Sequence, residues 1–556
     1  MRWLNENSRL FLSRGYLAPG MTPEQRIEDI ATYAEKLLGI SGFKDKFISY
    51  MKAGYYSLSS PVWSNFGTNK GLPISCFGSH ISDNMGSILY TQSEVGMMSK
   101  FGGGTSGYFG DLRPRGGVIT NNGTSSGAVH FMKLFETIID VVSQGSTRRG
   151  RFAPYLPIDH QDIDEFLQIG TEGNPIQEIT HGVTVSDNWM REMIAGDMKK
   201  RATWAKLIQR RVEIGYPYIF FTDTVNRETV DVYKDKGLKI THSNLCSEIA
   251  LPNHEAWSFV CNLSSMNLLY FDEWKDTDAV ETMIFFLDAV MTDFIHKLEA
   301  LRDAKEKEKN LAFSFMRRAY DFAVANRALG LGVLGWHSYL QSKMIPFESL
   351  EASKLNARIF KEINNKAHLA SQKLASLFGE PEILKGYGRR NTTLTAVAPT
   401  TSSAFILGQV SQSIEPVWSN IYVKDVAKTK VTIRNPFLEE VLERKGKNDR
   451  DTWNDIRDHD GSVQHLDFLS ELEKEVFKTF SELDQYSVIQ QAAIRQQFID
   501  QSQSLNLMIN PKMSAKEMNA LLIFAWENGV KSLYYQHSTN AAQQFNKEKV
   551  CTTCEA

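Results

Sequence analysis

Long helix-periodic segments that follow a stretch of short apolar runs are the feature that most limits the fold of this chain. Apolar residues recur at helical spacing in residues 279–300, 311–342 and 350–378. Residues 56–185 are instead rich in Gly and Ser, and turn residues bound their short apolar runs, as in strands joined by loops. Strand-like runs return at Thr393–Ala398 and Ser532–Tyr535. The pattern predicts an α/β body.

The two ends of the chain differ from this body. Residues 1–55 are predicted to be helical, because Thr22 can cap a helix that opens with a proline and apolar residues then recur at helical spacing. Residues 541–556 contain few large apolar side chains, so they cannot bury a core and are predicted to be flexible. The predicted division is therefore a helical region at 1–55, a body at 56–540 and a tail at 541–556.

Two local patterns need an interpretation. Gly330–Gly335 fits the dinucleotide fingerprint G-x-G-x-x-G, but that fingerprint requires a preceding strand, and residues 317–329 are helix-like. Close helix packing is the favoured interpretation of these glycines. The hydrophilic stretch Lys445–Asp460, within the mostly helical residues 430–490, predicts an exposed loop.

Composition excludes several classes of protein. A net charge of −3 gives no electrostatic reason to expect a nucleic-acid or membrane partner. The first residues are charged or carry amides where a signal peptide has an apolar run. The apolar stretch Met283–Val290 is much shorter than the ~20 residues that cross a bilayer. We expect a soluble, cytoplasmic protein.

The chain has five cysteines, and two of them form the Cys-x-x-Cys pair Cys551 and Cys554 in the tail. Such a pair can cycle between dithiol and disulfide or hold zinc. A structural zinc site usually takes four ligands from two such pairs, and the sequence has no second pair. Redox exchange is favoured, with a zinc site or an incidental pair as the alternatives. We expect no metal site elsewhere.

The other three cysteines lie in strand-like surroundings. In an extended segment, Asn244, Cys246 and Glu248 project to the same side and align an amide, a thiol and a carboxylate. The alternative is a strand whose polar edge faces water. Cys76 and Cys261 lie in apolar runs, where each taken alone is typical of a buried core cysteine.

Five motifs, in order along the chain, resemble those of class I ribonucleotide reductase large subunits. They are Asn244–Pro252, Cys261–Leu268, Ala398–Ser403, Leu533–Gln536 and the terminal Cys-x-x-Cys. The resemblance implies a ten-stranded α/β barrel of two five-stranded parallel halves around a central finger loop. It also implies that all five cysteines are working thiols. The body at 56–540 would be this barrel domain.

The resemblance assigns a role to each of these residues. As a thiyl radical, Cys246 would remove the 3′ hydrogen of the ribose, while Glu248 acts as general base and Asn244 orients the sugar. Cys76 and Cys261 would supply the reducing equivalents and end as a disulfide. Cys551 and Cys554 would re-reduce that disulfide by thiol exchange.

The resemblance also names substrate-binding and radical-transfer residues. Tyr534 and Tyr535 would relay the radical from a metal-containing small subunit, and this chain itself would bind no cofactor. The implied substrate contacts are Ser60, Ser75, Gly103, Gly104, Pro399, Thr400, Thr401, Ser402 and Ser403. The last four carry hydroxyls suited to phosphate. The implied substrates are ribonucleoside diphosphates.

Regulation is implied at a dimer interface. Asp83 and Arg113 match positions that contact the nucleoside and the triphosphate of a dNTP or ATP effector, and Arg148 and Arg149 lie in a loop that resembles the link from effector to substrate. Only 75 residues precede Cys76, so we expect no N-terminal ATP cone. The other implied partners are a second copy of this chain and thioredoxin or glutaredoxin.

Three other functions remain open from the sequence. A cobalamin-dependent reductase would need neither the small subunit nor the pair Tyr534 and Tyr535. A thiol–disulfide oxidoreductase would use the tail alone and would not need the alignment around Cys246. A nucleotide-binding regulator without activity would not need five thiols.

Overall fold

A computed structural model describes residues 1–145, 149–426 and 429–538. The predicted tail lies outside the described residues. The first 55 residues form three helices, as predicted, and Thr22 caps the second of them in a reciprocal capping box with Gln25. None of the described helices combines the length and the hydropathy needed to cross a bilayer.

The elements are numbered in chain order. The α-helices are α1 Glu6–Leu12, α2 Pro23–Leu38, α3 Phe43–Ala53, α4 Ser60–Asn65, α5 Met85–Lys100, α6 Ala128–Val141, α7 Ile163–Phe166, α8 Asp187–Ala195, α9 Met198–Ile214, α10 Thr222–Arg227, α11 Asp231–Asp235, α12 Phe271–Trp274, α13 Ala279–Arg302, α14 Lys307–Asn326, α15 Trp336–Ser342, α16 Leu350–Phe378, α17 Thr401–Ile406, α18 Pro436–Arg444, α19 Arg450–Asp458, α20 Glu471–Val476, α21 Gln485–Gln496 and α22 Ala515–Glu527. The strands are β1 Tyr56–Leu58, β2 Cys76–His80, β3 Gly104–Tyr108, β4 Arg151–Pro157, β5 Gly182–Val185, β6 Tyr218–Phe221, β7 Phe259–Asn267, β8 Leu329–Leu334, β9 Ile421–Val426, β10 Thr429–Arg434, β11 Leu507–Ile509, β12 Ser532–Leu533 and β13 Gln536–Ser538.

The first half of the barrel is a regular parallel sheet. Strands β2, β3, β4, β5 and β6 lie side by side in chain order, and every neighbouring pair is parallel. Helices α5 and α6 connect successive strands, as parallel pairing requires. This half is the five-stranded unit that the resemblance implied.

The second half is less regular. It begins with the parallel pair β7 and β8. Single parallel bridges then join Leu331 to Thr395 and Val397 to Gln503. The chain after Gln503 runs parallel to the chain after β12, because Tyr534 N donates to the Leu505 carbonyl and β11 pairs with β13. The predicted strand at 393–398 is therefore a stretch held by bridges.

Two antiparallel contacts join the halves. Strand β2 pairs with β7 at one seam, and β6 pairs with β12 at the other. The ten stretches therefore close into a ring, and the predicted ten-stranded α/β barrel is confirmed. The segment between α11 and β7 enters the ring as the finger loop and brings residues 244–250 into its interior, where most of them are buried.

The glycine motif has a different structure from the predicted one. The run at 311–342 is not one helix, because α14 ends at Asn326 and the glycines lie in strand β8. A Cβ on Gly330 would come within 2.5 Å of the Leu263 side chain, and one on Gly332 within 2.5 Å of the Ala396 carbonyl. The glycines thus permit close strand packing, and the helix-packing interpretation was wrong.

A satellite unit carries its own small core beside the barrel. The hairpin β9–β10 and helices α18 to α20 enclose a second apolar cluster that includes Leu438, Trp453 and Phe477. The predicted loop at 445–460 was wrong in part, because it contains α19. Trp453 and Ile456 anchor this otherwise polar helix to the satellite core.

Candidate active site

Cys246 lies in a tight turn at the tip of the finger loop. The extended segment predicted here is wrong, because residues 245–247 turn and Ser247 has a φ of 68°, in the left-handed region. The second barrel half holds this turn. The Ser504 hydroxyl lies 2.5 Å from the Cys246 carbonyl, and the Ser532 hydroxyl donates to the Ser247 carbonyl at 2.7 Å. Side chains therefore fix the backbone on both sides of the thiol.

Asn244 and Glu248 flank the thiol on the buried side of the turn. Asn244 Nδ2 lies 3.9 Å from Cys76 Sγ, and its carbonyl accepts from the Tyr155 hydroxyl at 2.7 Å. Burial raises the pKa of the Glu248 carboxyl to about 7, although hydrogen bonds from its own backbone, Asn244 and Ser504 favour the ionised form. A carboxyl with this pKa can take up and release a proton near neutral pH.

Cys76 and Cys261 lie directly opposite each other at the seam between the barrel halves. They are register partners in the antiparallel pair β2 and β7. Opposed residues in such a pair have Cα atoms ~4.5–5.5 Å apart, within the range that a disulfide requires. Burial raises the pKa of the Cys261 thiol well above its usual value, and nearby Cys76 raises it further. This pair is placed to form a disulfide.

Gln501 was not identified from the sequence, yet it contacts Cys261, one of these two cysteines. Its Nε2 lies 3.3 Å from Cys261 Sγ and is also within hydrogen-bond distance of the Leu329 carbonyl and the Thr393 hydroxyl. Its Oε1 accepts from Ala250 N at 3.0 Å. The side chain is fully buried. Gln501 therefore links the finger loop to the thiol of Cys261, and its N–H favours the thiolate form.

Tyr534 and Tyr535 form a buried aromatic cluster beside the finger loop. Their ring centroids are 4.4 Å apart. Tyr218 on β6 packs on both, with centroid distances of 4.8 Å and 5.3 Å. Burial raises the pKa of the Tyr218 hydroxyl, and Tyr535 and Cys246 both contribute to this shift. The cluster therefore extends from the tyrosine pair to the surroundings of the finger-loop thiol.

The predicted phosphate loop follows a barrel stretch of the second half. It consists of Pro399, Thr400, Thr401, Ser402 and Ser403. Thr400 precedes α17 in the left-handed conformation, and its hydroxyl accepts from Ser413 N at 2.8 Å. The Ser402 hydroxyl is buried with no hydrogen-bond partner among the described residues. Val397, two residues before the loop, accepts from Ser504 N, so the loop begins near the finger-loop turn.

The remaining predicted substrate residues lie at the beginnings of a helix and of two neighbouring strands. They are Ser60, which begins α4, and Ser75, Gly103 and Gly104 at the ends of β2 and β3. Gly104 N donates to the Ser75 carbonyl at 2.7 Å. A Cβ on Gly104 would lie 3.3 Å from the Leu245 side chain, and one on Gly103 would clash with an aromatic ring. Both glycines therefore allow close packing of neighbouring side chains, and their contact with substrate stays a prediction.

The predicted effector residues form a contact of their own. Arg113 Nε lies 2.8 Å from Asp83 Oδ2, and both side chains are about one-third exposed. Arg149 is exposed and lies beyond a gap in the described residues. Arg148, Cys551 and Cys554 lie outside the described residues. The effector assignments stay predictions, as does the redox role of the tail.

Comparisons with known proteins agree with this architecture. The family model "Ribonucleotide reductase, barrel domain" matches residues 74–200, 192–383 and 381–536. The solved Actinobacillus ureae class Id ribonucleotide reductase alpha subunit is 55% identical, with a TM-score of 0.90 over 98% of both chains. A protein of Frog virus 3 (isolate Goorha) is 34% identical over 94% of both chains. The ribonucleoside-diphosphate reductase large subunit of Invertebrate iridescent virus 3 is 32% identical over 92% of both. The chain belongs to the ribonucleotide reductase family.

Other site residues besides Gln501 escaped the sequence analysis. Ser504, Tyr155 and Tyr218 contact the finger loop or the tyrosine pair, and none of them lies in a quoted motif. The signal that was available is the polar run Gln501–Ser504, which reads as a loop although all four residues are buried. A buried polar run of this length must be satisfied by specific partners, which is typical of a site.

Proposed function

We propose that this chain is the catalytic subunit of a class I ribonucleoside-diphosphate reductase, which converts ribonucleotides to 2′-deoxyribonucleotides for DNA synthesis. The observation that carries the proposal is the convergence of Asn244, Cys246 and Glu248 on the opposed thiols of Cys76 and Cys261 inside one barrel. Membership of the family and the 55% identity to a class Id alpha subunit support the same function.

The proposed reaction begins at Cys246. Its thiyl radical removes the hydrogen atom from C3′, and Glu248 takes the proton of the 3′ hydroxyl. A pKa near 7 suits this proton transfer. The 2′ hydroxyl then leaves as water with a proton from the thiol pair. Cys76 and Cys261 provide two electrons and become a disulfide, and Cys246 returns its hydrogen to C3′. The net change is one ribonucleotide and two thiols to one deoxyribonucleotide, one disulfide and water.

A partner must supply the oxidising equivalent that creates the radical. The buried, contacting pair of Tyr534 and Tyr535 supports a relay from a metal-containing small subunit, because phenol side chains in contact can exchange an electron and a proton in steps. We further propose that the chain acts as a homodimer with a dNTP or ATP effector near Asp83 and Arg113. Cys551 and Cys554 would pass electrons from thioredoxin or glutaredoxin to the buried disulfide.

Thiol counting under anaerobic conditions tests the reaction. The chain is reduced, freed of reductant and mixed with its small subunit and a ribonucleoside diphosphate. We expect deoxynucleotide to form in proportion to thiols lost, and Cys246→Ser to form none while still binding nucleotide. Thiol loss without deoxynucleotide would instead indicate a thiol–disulfide oxidoreductase. Turnover with adenosylcobalamin and no small subunit would indicate the cobalamin-dependent class.

A further inference from the structure

A group of three metal-ligand side chains lies on the satellite unit, in the part of the chain that the structure describes. Asp455 and His459 are one turn apart on and just beyond α19, and His465 follows in the next loop. One ligand atom from each residue lies within 4.8 Å of the other two. The group lies on the surface of the satellite unit, and the proposed reductase chemistry does not use it.

The geometry is that of a chelating site. One carboxylate oxygen of Asp455 is 3.1 Å from His459 Nδ1, and the other is 3.1 Å from His465 Nε2. Ligands of a tetrahedral zinc ion, at the usual metal–ligand distances of about 2.0–2.2 Å, are roughly 3.3 Å apart. The two imidazole rings are stacked with centroids 3.7 Å apart and planes 19° apart. Asp455 thus contacts one ring nitrogen of each histidine, so the three side chains form one compact group.

Buried neighbours anchor the backbone on which the three side chains lie. Ile456 is fully buried beside Asp455, and Val463 and Leu466 anchor the loop on either side of His465. Asp460 and Gly461 both have positive φ and reverse the chain so that the loop returns to the helix. A Cβ on Gly461 would lie 1.8 Å from the Ser419 hydroxyl, so only glycine fits this turn. Packing therefore fixes the backbone that carries the three side chains.

The local charge also favours a cation. Residues 449–467 contain six Asp and two Arg. His459 is half-exposed and His465 is 27% exposed, so water can complete the coordination shell. His459 Nδ1 also lies 2.8 Å from the Asp455 carbonyl, and ligation through this nitrogen would replace that hydrogen bond.

We propose that Asp455, His459 and His465 bind one divalent transition-metal ion, with Zn²⁺ as the probe of choice. Imidazole nitrogen and carboxylate oxygen are ligands that suit Zn²⁺ and not Mg²⁺ or Ca²⁺, which prefer oxygen alone. The ion joins the end of α19 to the following loop and so closes the satellite unit on itself. The proposal does not depend on the reductase activity.

Calorimetric titration with Zn²⁺ tests the site in the full-length chain carrying Cys551→Ser and Cys554→Ser, after removal of metal by a chelator. These two changes remove the tail thiols, which would otherwise bind zinc themselves. We expect one equivalent of Zn²⁺ to bind in this background. His465→Ala or Asp455→Asn should lower the affinity at least tenfold. The matched control is His130→Ala, which removes another exposed histidine and should leave binding unchanged.

Substitution with Co²⁺ identifies the ligands directly. We expect ligand-field bands of a nitrogen- and oxygen-bound ion, which His465→Ala should remove. A thiolate charge-transfer band would place the ion on the cysteines and overturn the proposal. Equal Zn²⁺ affinity in the parent, His465→Ala and Asp455→Asn chains, or no stoichiometric binding at all, would also overturn it.

Discussion

The first half of the barrel, β2 to β6, and the second half, from β7 to β12, are held together by different chemistry. Backbone registers of three to five residues join every strand pair of the first half. In the second half, single bridges join the central stretches, and buried amides and hydroxyls complete the pairing. For example, Ser502 and Ser532 contact each other through their hydroxyls at 2.6 Å.

The irregular half is also the one that makes most of the contacts to the finger loop. Ser502 N donates to the Glu248 carbonyl, and the hydroxyls of Ser504 and Ser532 reach the turn at Cys246. The first half contributes the Tyr155 hydroxyl, which donates to the Asn244 carbonyl, and Cys76 Sγ, which lies 3.9 Å from Asn244 Nδ2. The regular half thus provides a frame, whereas side-chain hydrogen bonds of the second half position the reactive groups. The predictions below test this division of roles.

The largest difference in turnover is expected between phenylalanine variants of two tyrosines that are in contact across the seam between the halves. Tyr534→Phe, in the second half, should abolish turnover that depends on the small subunit, because phenylalanine keeps the ring but cannot form a phenoxyl radical. Tyr218→Phe removes a buried hydroxyl from β6 in the first half and should retain most of the turnover. Both should be folded by circular dichroism. Equal loss in the two variants would show that the relay is not confined to the second half.

The next largest effect on turnover is expected at Glu248, whose backbone carbonyl accepts a hydrogen bond from Ser502 N of the second half. As general base it must be ionised, so kcat/KM should rise with pH through about 7, its folded pKa. Glu248→Gln should lower turnover by about 10²–10⁴-fold and remove this rise. A wild-type profile without a step near pH 7, or an active Gln variant, would contradict the assignment.

Ionisation of the same carboxyl should lower the stability of the folded chain, although it raises kcat/KM. Folding raises the pKa of Glu248 from 4.5 to about 7, so the folded chain binds this proton more tightly than the unfolded chain. The free energy of unfolding therefore falls as pH rises from about 4.5 to about 7, by roughly 3 kcal/mol in total. Glu248→Gln avoids this cost. We expect denaturant titration to find the variant more stable than the parent at pH 8, with a smaller difference at pH 5.

The contrast between the halves also explains which parts of the fold the sequence could predict. The helices α2, α13 and α16 follow from apolar periodicity, and the parallel first half follows from short apolar runs between turn signals. Strand β8 was missed because its six residues are all buried, so they show no alternation, and helical runs flank it. Helix α19 was missed because only two of its nine side chains are buried.

Residues of the candidate site were identified from the sequence where they lie in a motif. They were missed where only tertiary contacts bring them together. Asn244, Cys246 and Glu248 were identified, but the turn between them was not, because a left-handed serine leaves no signal in the sequence. The run Gln501–Ser504 looks like a surface loop, and only the closed barrel shows that it is buried. The opposition of Cys76 and Cys261 depends on a strand register that spacing cannot give.

Gln501 gives a test of positioning within the second half. Gln501→Met keeps the approximate length but removes the N–H donor that lies 3.3 Å from Cys261 Sγ. A hydrogen bond to a charged group contributes about 1.5–3 kcal/mol, so re-reduction of the disulfide by a dithiol should slow roughly 10–100-fold. The amount of product formed in the first turnover should not change. Quenched-flow assays separate the two steps.

The control for this variant is its neighbour Gln503→Met. Gln503 is equally buried, but its amide donates to the Ala492 carbonyl and to Gln496 and reaches no thiol. Both changes replace a buried amide with a thioether of similar length, so the former hydrogen-bond partners of the amide are left unsatisfied in each variant. Only Gln501→Met should change the pH dependence of disulfide reduction. Identical kinetics in the two variants would show that Gln501 acts through packing alone.

The smallest expected effect compares one hydroxyl in each half. Ser504 lies 2.5 Å from the Cys246 carbonyl and 3.1 Å from Glu248 Oε2, whereas the buried Thr105 hydroxyl of β3 donates to the Arg151 carbonyl at 2.7 Å. Each alanine variant loses the hydrogen bonding of one hydroxyl, so both should lower the free energy of unfolding by about 1–2 kcal/mol. Only Ser504→Ala should also lower kcat, by several-fold, because the Cys246 turn and the Glu248 carboxylate lose a shared contact. If Thr105→Ala lowers kcat as much, stability and not position governs the rate, and the division of roles between the halves fails.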